Sequence, residues 1–140
     1  MSDITMKCVM IIDTELPIGI KANTSAVLGI TLGKELPHEV GPDVTDASGQ
    51  THLGITSIPV TMLGGEKNQI KEIRKRLYSE EFSDLLVVDF SNVAQCCHVY
   101  EDYIKMSADT MEQDYHYFGI AIYGNKKKVN KITGSMPLLK

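Results

Sequence analysis

Four apolar runs alternate with stretches of helical periodicity along this chain. The first, Lys7-Cys8-Val9-Met10-Ile11-Ile12, is rich in β-branched residues and has the pattern of a strand buried on both faces. Residues 13–19 read as a loop, stiffened by Pro17 and freed at Gly19. Ala22, Ala26, Val27, Ile30 and Leu32 then recur at helical spacing. Asn23 or Thr24 is the expected cap of that helix, Gly33 its expected end, and Pro37 bars continuation. Val44–Ile55 carries Asp46-Ala47-Ser48-Gly49-Gln50, a turn signal that predicts a hairpin. Ser57–Leu63 predicts a strand that starts late or lies near an edge because of Pro59.

Gly64-Gly65 is expected to break the chain before an amphipathic helix over Glu66–Glu80. Ile70, Ile73 and Leu77 form its apolar stripe, while Lys67, Lys71, Glu72, Arg74, Lys75 and Arg76 lie on the other face. A strand over residues 85–90 ends near Asp89, a polar turn follows over Ser91–His98, and a helix is expected over Val99–Gln113. Tyr115–Tyr123 reads as the last long strand, closed by Gly124-Asn125, and Lys126–Thr133 as a short basic helix. The order β-α-hairpin-β-α-β-α-β-α predicts one α/β domain over residues 1–140. Its expected form is a three-layer α/β/α sandwich around a mostly parallel mixed sheet of about four strands. Met1–Thr5 is a polar lead-in, expected to fray.

Composition narrows the function classes. A 140-residue chain with 43% hydrophobic and 23% charged residues is ordinary for one globular domain. A net charge of −4 argues against a broad nucleic-acid surface. Three cysteines, with Cys96 and Cys97 adjacent, do not make a disulfide framework, and no secretion signal opens the chain. A cytoplasmic location is therefore expected. No apolar run approaches the ~20 residues of a membrane span, so no membrane partner is expected.

Candidate chemistry clusters at strand ends, where ligands sit in open α/β sheets. Asp13 and Asp89 each precede a polar loop, as expected of a general base or of a residue orienting water; each serves equally well as a turn cap. Lys21 at the mouth of the first helix is suited to steady an anion. Asn23 offers donors and acceptors to a polar substrate, and Glu15, Ser91, Asn92 and His98 complete the set. His98 is the histidine favoured for acid–base work. His116, inside a predicted strand, reads as a packed or surface residue. Cys97 beside His98 is a weaker thiolate candidate, because adjacency in sequence does not place side chains together. The four histidines lack metal-ligand spacing, and Gly64-Gly65-Glu66-Lys67 lacks the spacing of a phosphate loop. No metal and no cofactor is expected. Lys126-Lys127-Lys128 and Lys131 are a local basic run, more in keeping with a solvated face than with an anion site.

The segments KCVMIIDTELPIGIKANTSAVLG, LLVVDFSNVAQ and FGIAIYGNKKKVNKITGSMPLL together resemble a bacterial family catalogued only as domain of unknown function 2000. That family resembles a branch of the peptidyl-tRNA hydrolase type 2 fold, an α/β/α sandwich around a four-stranded mixed sheet whose hydrolase members act as homodimers. The resemblance implies correspondence at Glu15-Leu16-Pro17-Ile18-Gly19, at Asp89-Phe90-Ser91-Asn92, and from Gly119-Ile120-Ala121-Ile122 to Lys131-Ile132-Thr133-Gly134. It departs at the first helix, where the hydrolase carries Lys, Gln and a catalytic His. Lys21-Ala22-Asn23-Thr24-Ser25-Ala26-Val27-Leu28-Gly29 contains no His, and Lys21 stands in for the lysine about one residue out of register. A missing acid–base group removes what typically supplies about 10²–10⁴-fold in rate.

The expected function is a cleft at the strand ends that binds or acts on a small polar or acyl substrate, with Asp89 and Lys21 as catalytic residues and Asp13, Glu15, Asn23, Ser91, Asn92 and His98 binding substrate. Two alternatives stand beside it. One is residual peptidyl-tRNA hydrolysis, with tRNA as partner; the other is a non-catalytic homodimeric module.

Overall fold

The structure, a computed structural model, describes residues 5–140; the rest of the polar lead-in, residues 1–4, lies outside the described range. Strand β1 (Met6–Asp13) leads into helix α1 (Ile18–Glu35). A projecting hairpin follows, made of β2 (Val44–Thr45) and β3 (Thr51–His52), and then β4 (Val60–Gly65) and α2 (Lys67–Leu77). The chain continues through β5 (Leu86–Ser91), the short α3 (Asn92–Gln95), α4 (Tyr100–Asp109), β6 (Tyr117–Asn125) and α5 (Lys126–Thr133).

The main sheet has the order β4-β1-β6-β5. The expected α/β class and four-stranded mixed sheet are observed, but the sheet is not mostly parallel. β1 pairs parallel with β4, whereas β6 runs antiparallel to both β1 and β5. The reason lies in the order of insertion: the last strand enters between β1 and β5 from the opposite end. Three strands therefore deliver their carboxyl ends, and β6 its amino end, to one edge of the sheet.

Each face of the sheet is covered. Val9, Ile11, Ile120 and Ile122 pack with Ile70, Ile73 and Leu77 of α2 and with Val129 and Ile132 of α5. Cys8, Met10, Ile12 and Ala121 pack with Leu28 and Leu32 of α1. The alternation along β1 thus serves two cores, which is why its sequence is continuously apolar.

The helix starts show where local signals hold. α2 begins with a capping box: the Glu66 carboxylate accepts from the Gln69 N–H at 3.3 Å while the Gln69 side chain accepts from the Glu66 N–H. In α5, Asn125 Oδ1 accepts from the N–H groups of Lys127 and Lys128. α1 departs from expectation. It starts at Ile18 behind Pro17 and runs past Gly33 to Glu35, so Asn23 is an exposed mid-helix residue rather than a cap.

Other boundaries shift too. Gly64 and Gly65 continue β4 instead of breaking it. A Cβ on Gly64 would stand 2.8 Å from Thr14 Cγ2, so the close approach of the β1–α1 loop requires glycine there. β4 starts after Pro59 and is an edge strand. The expected helix over Val99–Gln113 is α4 followed by a 3₁₀ turn over Glu112–Asp114, and Asn92–Gln95 is helical where a polar turn was expected. Among the described residues, no helix is long and apolar enough to cross a membrane.

Candidate functional site

The edge where β1, β4 and β5 end brings together Asp13, Asn92 and His116. Asp13 closes β1 with 2% of its surface exposed. Its Oδ1 accepts from the Glu15 N–H at 3.0 Å, and its Oδ2 lies 2.8 Å from His116 Nε2. A buried polar group is costly unless it is hydrogen-bonded, and these two contacts occupy both carboxylate oxygens. The imidazole has 26% of its side chain exposed. It therefore joins a buried carboxylate on one side to solvent on the other.

His116 is held by its surroundings more than by its own strand. Asn92 Oδ1 accepts from the His116 N–H at 2.9 Å, and the Asn92 N–H donates to the His116 carbonyl at 3.0 Å. The Phe118 ring meets the imidazole edge-on, with centroids 4.9 Å apart. From below, Lys71 Nζ donates to the carbonyls of Glu112, Gln113 and Tyr115, which fixes the segment leading into the histidine. A proton on Nε2 satisfies the Asp13 contact and leaves Nδ1 as the acceptor. Among the described residues nothing hydrogen-bonds Nδ1, and no Ser, Thr or Cys side chain bonds the ring. This is the geometry of a general base acting on water or on a substrate proton.

The other expected site residues are placed differently. Ser91 ends β5 with its hydroxyl buried and unpartnered among the described residues, as does the Thr24 hydroxyl on α1. Glu15 contributes its backbone N–H to Asp13, and its side chain is exposed. Lys21 is half-buried on α1, with no side-chain hydrogen bond or ion pair among the described residues.

Asp89 is inside β5 rather than at its end. It pairs with Arg74 at 2.8 Å, and Arg74 also stacks over the Tyr78 ring at 3.9 Å. Asp89 borders a cavity of about 420 Å³ that also touches Phe90, Cys97, His98 and Tyr103. On its other side is a cavity of about 300 Å³ lined by Tyr78, Tyr103, Tyr115 and Tyr117. Burial raises the hydroxyls of both Tyr103 and Tyr117 above the ordinary tyrosine range, and for Tyr117 the bond it donates to Glu112 adds to this.

Sequence reasoning thus separates from the structure at two points. Asp89 and His98 share a cavity wall, whereas the histidine that meets a strand-end acid is His116, which the strand pattern had read as packed or superficial. Cys97 donates to the Val93 carbonyl, and burial first, then Cys96, raises its thiol, so the Cys97–His98 adjacency forms no thiolate pair. The basic run is partly neutralised: Lys128 pairs with Asp84 at 2.8 Å and Lys131 with Glu81, and both carboxyls lie below their ordinary range chiefly through those hydrogen bonds. Among the described residues, no group of three or more His, Cys, Asp or Glu side chains is placed to hold a metal ion.

A family model described as "Protein of unknown function (DUF2000)" matches residues 6–140. No curated protein matches the chain. Among solved structures, a protein of unknown function from Agrobacterium tumefaciens strain C58 superposes with a TM-score of 0.86 at 16% identity, covering 96% of this chain and 98% of the other. At that identity the likeness is one of fold.

Proposed function

The chain belongs to the DUF2000 family, and from that premise we propose that it is an acid–base domain acting on a small polar or acyl substrate at the strand-end edge. The observation that carries this reading is the 2.8 Å contact between buried Asp13 and part-exposed His116. In the proposed reaction Asp13 orients the ring and Nδ1 takes a proton from water as the water attacks the substrate carbonyl; the acyl–oxygen bond then breaks, and the imidazolium returns that proton to the leaving alcohol. His116 would thereby fill the role that the first helix leaves empty. Asn92 is a positioning residue, since it holds the His116 backbone. Hydrolysis of peptidyl-tRNA is the narrower form of this proposal, supported by the resemblance of the sequence segments at Asp89–Asn92 and Gly119–Gly134 to the peptidyl-tRNA hydrolase type 2 pattern.

The test is turnover of short-chain nitrophenyl esters and of a model peptidyl-tRNA by the purified protein, with His116→Gln and Asp89→Asn run in parallel. His116→Gln is expected to lower kcat by about 10²–10⁴-fold, and Asp89→Asn by no more than a few-fold. Equal turnover in wild type and His116→Gln would overturn the role of the dyad. Loss in Asp89→Asn alone would move the chemistry to the cavity beside β5.

A second reading, the homodimeric module, is favoured by the outer face of α1. Ile18, Ala22, Ala26 and Ile30 are all exposed there, where a surface helix ordinarily carries charge. The stripe reads alike in both directions, so a twofold would set Ile against Ile and Ala against Ala and bring Glu15 toward the partner's Lys34. Light scattering on wild type and Ile30→Lys tests it. A dimer dissociated by the substitution supports this reading, and a wild-type monomer at high concentration removes it.

A further inference from the structure

At the opposite end of α1 from the dyad lies a further, differently built cavity. It has a volume of about 220 Å³, and its lining includes Met10, Leu32, Leu36, Ile58 and Val60. An apolar cavity of about 150 Å³ is already large enough to take benzene. The space exists because α1 carries glycine at two positions one turn apart, Gly29 and Gly33. A Cβ on Gly29 would meet only Met10 Cε, at 3.9 Å, and one on Gly33 would meet nothing within 4 Å. The rim is firm, since the Ser57 N–H and hydroxyl both donate to the Glu39 carbonyl, at 2.7 and 2.9 Å, and the Gly41 N–H donates to the Ile55 carbonyl at 2.8 Å.

Two polar side chains line this apolar space, Thr56 and Glu39; the Thr56 hydroxyl is taken up by the Ile58 backbone, which leaves Glu39. The Tyr123 hydroxyl donates to Glu39 Oε2 at 2.6 Å, and among the described residues Oε1 accepts nothing. Burial first, then Glu39, pushes the Tyr123 hydroxyl up to about 12 and the Cys8 thiol at the cavity wall up to about 11. Both groups are therefore protonated at neutral pH: Tyr123 remains a donor to Oε2, and Cys8 behaves as a small apolar surface. An apolar pocket with a single convergent acceptor has the make-up of a small-molecule site. We propose that the cavity between α1, β1, β4 and the base of the hairpin binds a small apolar amine or alcohol, its hydrocarbon body beside Gly29 and its donor on Glu39. Cys8 and Asp13 are five residues apart on β1, about 16 Å at strand rise, so the two sites are separate and neither proposal depends on the other.

The experiment titrates benzylamine, benzyl alcohol and benzoate into the ¹⁵N-labelled full chain and follows amide shifts. Benzylamine and benzyl alcohol are expected to move amides of residues 8–10, 29–36, 56–58 and 60 in a saturable way, and benzoate is not. Glu39→Gln retains an acceptor for Tyr123 and is expected to weaken benzylamine at least tenfold while affecting benzyl alcohol less. Gly29→Leu is expected to abolish all binding, and Gly33→Leu is the second occluding variant should the first lower the melting temperature. Benzoate binding as well as benzylamine would overturn the proposal. So would shifts centred elsewhere, no saturable shift with either donor, or undiminished binding in a folded occluding variant.

Discussion

Asp13→Asn changes the polarity of one contact while preserving the shape of the side chain. In the wild-type protein Oδ1 accepts from the Glu15 N–H and Oδ2 accepts from His116 Nε2. The asparagine oxygen can retain the Glu15 bond, which places an amide N–H₂ against Nε2. Two donors then face each other unless the imidazole moves its proton to Nδ1. The bond that forms is a neutral one worth about 0.5–1.5 kcal/mol, in place of a charge-assisted one worth about 1.5–3 kcal/mol. Relief of the buried carboxylate's desolvation offsets part of the difference. The net loss is expected near 1 kcal/mol, or about 3–5 °C in Tm for a chain of this size.

The distinguishing readout is the tautomer. Long-range ¹H–¹⁵N spectra in mildly alkaline buffer should show His116 protonated on Nε2 in the wild type and on Nδ1 in Asp13→Asn. His38, His52 and His98 are exposed and serve as unchanged references. A variant that keeps the Nε2 proton, or a wild type that lacks it, would refute the orienting role of Asp13 whatever happens to stability. Catalysis should follow the tautomer, because Nδ1–H cannot act as a base.

Other substitutions probe the frame around this contact. Gly119→Ala would put a Cβ 2.7 Å from Thr24 Cγ2 and 2.8 Å from Ile12 Cδ1; urea denaturation should show a loss of about 1–3 kcal/mol, and no loss would deny the close packing of α1 on β6. Lys71→Met removes the ammonium that joins the carbonyls of Glu112, Gln113 and Tyr115. Faster amide exchange at residues 113–117 and a loss of about 1.5–3 kcal/mol are expected, and unchanged exchange would show that the segment holds itself. Cys8 should resist iodoacetamide at pH 8 in the folded protein, because it is buried and its thiol stays protonated until the pH nears about 11; exposed Cys96 should label, and equal labelling of both would contradict the packing of β1.

The sequence carried the elements whose signals are local. Ile70, Ile73 and Leu77 at helical spacing marked α2 because the stripe lies within one segment. Gly49 in the hairpin turn takes a φ of +84°, as its Asp-Ala-Ser-Gly context implied. α1 was placed late because its start depends on Pro17 and its exposed stripe Ile18, Ala22, Ala26 and Ile30 is uncharged, so the usual contrast of faces is weak. The direction of β6 was hidden for a different reason. An apolar strand reads alike in either direction, and only the pairing of Ile12 with Gly119 and of Ser91 with Tyr117 shows that it runs against both neighbours.

That same reversal explains why the histidine was misplaced in the reading of the site. Taken as one strand among parallel ones, residues 115–123 would carry His116 to the edge opposite Asp13, and the two could not meet. Antiparallel insertion brings the start of β6 to the end of β1, across 103 positions of sequence. Asp89 erred the other way. Its position near a strand end suggested solvent, but strand alternation turns it toward α2, where Arg74, one turn after Ile70, meets it. Asp13 shares that face by alternation with Val9 and Ile11, but it sits at the last position of β1, where the reversed β6 delivers His116 instead of an arginine. The chemistry of this edge is therefore set by where each strand stops relative to its helix, a relation that exists only once the sheet has formed.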